Sequence, residues 1–151
     1  MATRRLPVIQ EPTGEDAEAA LRPAWQWALI GSGLLVTAWT PLVLVALVVA
    51  RKISTLGSAS AATGPGLAAS LVAATLALSA LGAGYLVARF GSRTRLRHAA
   101  SAGLLAAAEI WFLALLGGAF SSSLVSVTAF LSLSGLSTGF CALGAWLRRR
   151  Q

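Results

Sequence analysis

The sequence predicts an all-α integral membrane protein, a four-helix bundle of antiparallel up-down topology with both termini in the cytoplasm. Three observations predict it. Hydrophobic residues make up 56% of the 151-residue chain and charged residues only 11%, against about 25% charged in average soluble chains. The charges cluster and leave long apolar runs at 25–50, 66–88, 99–120 and 124–146, of which only the third holds a charge, Glu109. A bilayer core of about 30 Å needs roughly 20 apolar residues in a helix. The basic residues sit at the ends of these runs and favour one side.

The chain divides into a polar tail (1–23), a membrane domain (24–147) and a basic C-terminus (148–151). The tail sets Arg4, Arg5 and Arg22 against Glu11, Glu15, Asp16 and Glu18, and Pro7, Pro12, Gly14 and Pro23 interrupt it. Thr13 and Asp16 have the spacing of a capping box. The tail offers so little apolar surface for burial that disorder is the expectation. A signal peptide fits poorly, because the acids fall in its n-region and the first apolar run is far longer than an h-region of about 7–15 residues. The first run is therefore read as a retained helix.

That helix (25–50) begins with Trp25 and Trp27, suited to the headgroup layer. Pro41 within it removes one amide donor and frees the carbonyl of Thr37, which makes it the expected bend. A loop rich in Ser, Ala, Gly and Thr (51–65) leads to the second helix (66–88). A basic connection with Arg89, Arg93, Arg95, Arg97 and His98 leads to the third (99–120). Ser121, Ser122 and Ser123 make a tight hairpin into the fourth (124–146), which ends before Arg148, Arg149 and Arg150.

Orientation follows from Lys and Arg. The tail, the second connection and the C-terminus hold ten of the 12 basic residues, leaving Arg51 and Lys52 on the other side. The ten are expected in the cytoplasm as topology anchors, with Arg51 and Lys52 snorkelling to the outer headgroups. The net charge of +7 is thereby accounted for by membrane anchoring, and no nucleic-acid partner is expected. Arg supplies eleven of the 12 basic residues and Ala is abundant, a bias found in GC-rich bacterial genomes. The expected place is a bacterial inner membrane.

Between lipid-facing helices, close packing and polar contacts drive association. The second helix has a small-residue stripe at spacings of three and four: Ala69, Ala73, Ala77, Ala80, Gly84 and Ala88. The fourth has Thr128, Ser132, Gly135, Gly139 and Ala142, including a G-x-x-x-G. Both stripes are expected to pack inside the bundle, or else to form a face for a second copy or a membrane-protein partner.

Glu109 is the most informative residue. A bare carboxylate is most costly in mid-bilayer, so a neutral acid donating a hydrogen bond is expected. Candidate partners at matching depth are Thr37 or Thr40, Ser79, and Ser132, Ser134 or Ser137. Two roles stay open: a clamp between helices, or a proton or ligand site in transport. No H-E-x-x-H, G-x-S-x-G or Cys pair occurs, and Cys141 is the only cysteine. No enzyme activity, cofactor or metal is expected.

Glu109 with Gly135 and Gly139 resembles the small multidrug resistance transporters, although that family's acid lies in its first helix, and some of its members insert in both orientations with a weak charge bias. The stretch from Gly82, Gly84 and Arg89 to Gly103 resembles YrzE-like four-helix bacterial membrane proteins, which implies the same architecture and no known activity. The leading expectation is a small structural or interaction subunit acting through helix contacts. The alternative is a proton- or cation-coupled carrier or channel using Glu109.

Overall fold

The computed structural model describes residues 23–56, 63–91 and 96–150. The expectations for the N-terminal tail, Arg93 and Arg95 fall outside them. Four helices fill nearly all of the described chain: α1 (Ala24–Leu56), α2 (Thr63–Phe90), α3 (Leu96–Leu116) and α4 (Ser123–Arg149). All four are long and apolar enough to cross a membrane.

The helix bounds depart from the apolar runs for physical reasons. α1 has 33 residues and is about 50 Å long, because a charge that ends an apolar run does not end a helix. Arg and Lys are good helix formers, and the chain stays helical through Arg51 and Lys52. The Ser54 and Thr55 hydroxyls there donate to the Arg51 and Lys52 carbonyls, both at 2.8 Å. Pro41 lies inside the continuous helix on its exposed side. α2 likewise starts earlier, at Thr63, and runs on to Phe90.

α3 starts and stops earlier than the apolar run 99–120. Its end is fixed by Gly118, whose φ of +68° is the left-handed conformation that glycine adopts without a Cβ clash. The Ala119 amide donates to the Ala114 carbonyl at 2.9 Å and the Gly118 amide to the Leu115 carbonyl at 3.1 Å. This pair of bonds is a Schellman motif, which satisfies carbonyls the helix would otherwise orphan. α4 opens on Ser122, extended at φ −152° and ψ 159°, whose hydroxyl accepts from the Val125 amide at 3.3 Å. That contact is an N-cap.

α2 packs against α1 and α4, and α3 also packs against α1 and α4. α2 and α3 meet more narrowly across the middle, and the backbones of α1 and α4 stay more than 8 Å apart among the described residues. The core is made of small side chains around a few large ones: Leu35, Leu76, Ala80, Ala83, Ala106, Ile110 and Cys141. Such a core requires backbones to come close, and three glycines do this. A Cβ on Gly84 would strike the Cys141 backbone, one on Gly103 the backbone of Ser137 and Thr138, and one on Gly144 the backbone of Leu81 and Tyr85. Gly31 of α1 fills a fourth tight place, where a Cβ would lie 2.7 Å from Val87 Cγ2 and 2.8 Å from Ala102 Cβ.

The small-residue stripes of α2 and α4 lie differently in the structure. Ala80 and Gly84 are buried, and Ala73 and Ala77 are half-buried. Gly135 and Gly139 are exposed, and a Cβ on either meets nothing within 4 Å. α4 has two small faces, and the one turned inward carries Ser137, Cys141 and Gly144, all buried. Ser137 Oγ on this face lies 2.9 Å from the Gly103 carbonyl oxygen of α3 and 2.6 Å from the Leu133 carbonyl oxygen of its own helix, one proton between two acceptors. The outer stripe has no comparable bond to another helix among the described residues.

These seams predict a contrast between glycines. Gly84→Val and Gly144→Val should each destabilise the bundle by about 1–3 kcal/mol, the usual cost of overpacking. Gly139→Val should change the stability of the isolated protein by less than about 0.5 kcal/mol, as for surface substitutions. Reversible unfolding in mixed micelles measures all three, and equal costs at Gly84 and Gly139 would contradict the packing described.

Candidate functional site

Glu109 lies on α3, three residues past the helix midpoint and seven before its end at Leu116. The turns on either side put Ala106 and Ile110 into the core, both buried. Glu109 itself falls at the edge of that face and is exposed. Leu105, Phe112 and Leu116, at spacings of four, three and four with it, are also exposed. The acid therefore sits within an apolar outer stripe, not among the core side chains.

Its partner is Ser32 of α1, and none of Thr37, Thr40, Ser79, Ser132, Ser134 or Ser137. Ser32 Oγ lies 3.1 Å from Glu109 Oε1 and 3.0 Å from the Leu29 carbonyl oxygen. Ser32 is 1% exposed, so this contact is the acid's link to the interior. A hydroxyl carries one proton and two acceptor lone pairs, whereas a carbonyl only accepts. Both contacts hold together when Ser32 donates to Leu29 and a protonated Glu109 donates to Ser32. When the acid is ionised, Ser32 donates to it and gives up Leu29. Glu109 Oε2 makes no hydrogen bond among the described residues.

Matching mid-helix depths missed Ser32, because Ser32 lies only eight residues into α1. The packing of α1 on α3 sets the level instead: Gly31 is pressed against Ala102. A long helical side chain leans toward its own N-terminus, which turns Glu109 toward that level. The sequence signal was the triplet Gly31, Ser32, Gly33, one hydroxyl between two residues that leave room around it.

The other polar candidates are scattered. Thr37 is exposed, and Thr40 donates to the Val36 carbonyl of its own helix at 2.8 Å. Ser79 Oγ and Ser134 Oγ are buried without a hydrogen-bond partner, as are Trp39 Nε1 and Thr138 Oγ1. Ser79 faces an open apolar groove of about 300 Å³ between α1 and α2, lined also by Leu34, Ala38, Leu42 and Leu86. Trp111, which the sequence did not single out, joins α3 to α4. Its Nε1 donates to Ser126 Oγ at 3.0 Å and to the Ser126 carbonyl at 3.1 Å, and its ring meets Phe130 edge-on at 5.4 Å.

The described anchor residues sit at helix ends. The Arg150 guanidinium lies 3.8 Å from the Trp146 ring centroid, and that of Arg89 lies 5.7 Å from the Phe90 ring. Arg97 and Arg149 are exposed and Arg148 is half-buried. Among the described residues no three His, Cys, Asp or Glu side chains gather as metal ligands would. No protein-family model, curated protein or solved structure matches this chain.

The Ser32 and Glu109 contact predicts a small, specific coupling. Interhelical hydrogen bonds in membranes average about 0.6 kcal/mol and reach about 1.7. A double-mutant cycle of Ser32→Ala with Glu109→Leu should give a coupling in that range. Glu109→Gln, which keeps a donor and an acceptor, should be nearly neutral. Strictly additive Ser32→Ala and Glu109→Leu effects would show that the contact contributes nothing.

Proposed function

We propose that this chain is a small structural or interaction subunit of a bacterial inner membrane, acting through helix contacts with itself or with another membrane protein. The observation that carries this reading is the closeness of the internal seams. Backbones meet at Gly84, Gly103 and Gly144, and the core between them is filled with Leu, Ala, Ile and Cys. A carrier needs an interior path that opens to either side. Here Glu109, the polar group best suited to transport, is exposed on the outside of the bundle and touches the interior through Ser32.

The same residue supports the second reading. Glu109 is exposed and has one oxygen free of hydrogen bonds, so a proton or a cation has access to it from outside the bundle. Intramembrane acids are functional candidates by default. The subunit reading is preferred because no basic residue and no second acid lies near it along α3, whose other charge, Arg97, is about 18 Å away along the axis. A relay is built from several such groups.

In this reading the helices run up and down in antiparallel sequence, with the N- and C-termini in the cytoplasm. The charge bias supports that orientation, as do the Arg and aromatic pairs at the ends of α2 and α4. The resemblance to YrzE-like proteins agrees with the architecture and adds no activity. No catalytic constellation supports an enzyme.

Two measurements test the proposal. Single cysteines at Ser58 and Ser92, in a Cys141→Ala background, should react oppositely with an impermeant thiol reagent. Ser58 is reached from outside intact cells and Ser92 only after permeabilisation, and the reverse would overturn the orientation. Purified protein in liposomes should pass no more protons or organic cations than empty liposomes. Flux abolished by Glu109→Gln would replace the subunit reading with the carrier.

A further inference from the structure

We infer that the outer face shared by α1 and α3 is the docking site for a transmembrane helix of another protein, one that carries a single Lys or Arg at the depth of Glu109. The inference rests on the subunit reading and names the partner's chemistry. Its starting point is the cost of leaving an exposed carboxyl among lipid tails. In hydrocarbon, polar groups with no partner are expensive, and charged ones are rare unless they pair or reach water. Glu109 is exposed, and only its Oε1 is bonded.

The surroundings fit a helix. On α3 the stripe Leu105, Glu109, Phe112 and Leu116 is exposed. On α1, Leu29, Gly33, Val36 and Thr40 repeat at the same spacings. Gly33 is exposed, and a Cβ on it would meet nothing within 4 Å. A side chain entering beside Ser32 therefore has space. Phe112 and the leucines supply apolar walls that keep water from the pair, and burial strengthens an ion pair that would be weak in water.

Charge complementarity selects a basic partner, and the described basic residues of a second copy offer none at the right depth. Every Lys and Arg of the described residues lies near a helix end: Arg51 and Lys52, Arg89, Arg97, and Arg148 to Arg150. None matches the depth of Glu109. For a Lys helix entering with a neutral amine, the carboxyl O–H bond breaks, an N–H bond forms, and carboxylate and ammonium remain in contact. Ser32 then turns its single proton from the Leu29 carbonyl to the carboxylate. The Ser32 position within reach of both acceptors, at 3.0 and 3.1 Å, allows this exchange without moving a helix.

The test uses the full chain in liposomes and three synthetic transmembrane helices of Leu and Ala, with Lys, Gln or Leu at the central position. Association is read by energy transfer between a dye on the protein's C-terminus and one on the peptide. The Lys helix should associate about tenfold more tightly than the Leu helix, the scale of a desolvated charge pair. Glu109→Gln should remove that preference while circular dichroism shows unchanged helix content. Gly33→Leu, which fills the space beside Ser32 and leaves the acid intact, should weaken the Lys helix as well. Equal association of the Lys and Leu helices would overturn the inference, as would a preference that survives Glu109→Gln. A Gln helix that binds as tightly as the Lys helix would show a neutral hydrogen-bonding partner instead, and Glu109-dependent association of the protein with itself would show a second copy. Either result leaves the subunit reading standing, whereas proton or cation flux overturns that reading itself.

Discussion

Everything in this bundle depends on how closely helix backbones approach one another. In water, burying Leu and Phe would hold four helices together. Among lipid tails that drive is missing, and dispersion contacts and interhelical hydrogen bonds remain. Both are short-ranged, so large side chains between helices would forfeit them. Gly84 against Cys141, Gly103 against Ser137, and Gly144 against Leu81 and Tyr85 bring α2, α3 and α4 into backbone contact. The Ser137 hydroxyl bridges one of these seams at 2.9 Å. With the seams set, the large apolar side chains have one place left to go, which is outward: Leu78, Leu116, Leu124 and Leu131 are each more than 60% exposed.

The same constraint places Glu109. The inner positions of α3 are Ala99, Ala102, Gly103, Ala106, Ala107 and Ile110, and the space facing the small ones is that of a methyl group or less. A glutamate has no room there. At 109 it falls one step off the inner face, where only its link to Ser32 reaches the interior. An acid excluded from a close-packed core faces whatever surrounds the bundle. The outward Gly135 and Gly139 tell the same story at lower stakes, since an open small-residue stripe costs little when lipid covers it.

Much of the fold was legible because its signals are physical minima. A run of some 20 apolar residues has few alternatives to a membrane-spanning helix, and all four runs lie in helices long and apolar enough to cross a membrane. Helix ends were less legible. The end of α1 moved because Arg51 and Lys52 are good helix formers, and the end of α3 moved because Gly118 offers a cap that hydropathy does not register. The site was the least legible part. The sequence marked Glu109 by the rarity of an acid in such a run, yet it did not give Ser32. That pairing depends on how far α1 slides along α3, a long-range quantity. α4 shows why spacing alone misleads: its G-x-x-x-G faces outward, while Ser137, Cys141 and Gly144, spaced equally well, face inward.

The central claim is that close seams fill the interior and turn Glu109 to the outside. Nitroxide scanning along α3 in liposomes tests it most directly, with a spin label placed in turn at each residue from 104 to 113 and its collision rate with oxygen measured. Oxygen concentrates in lipid, so the rate should rise and fall with the helical period of about 3.6 residues. Maxima are predicted at 104–105, 109 and 112–113 and minima at 106, 107 and 110. Maxima at 106 and 110, with 109 in a minimum, would place the acid inside the bundle and contradict the account.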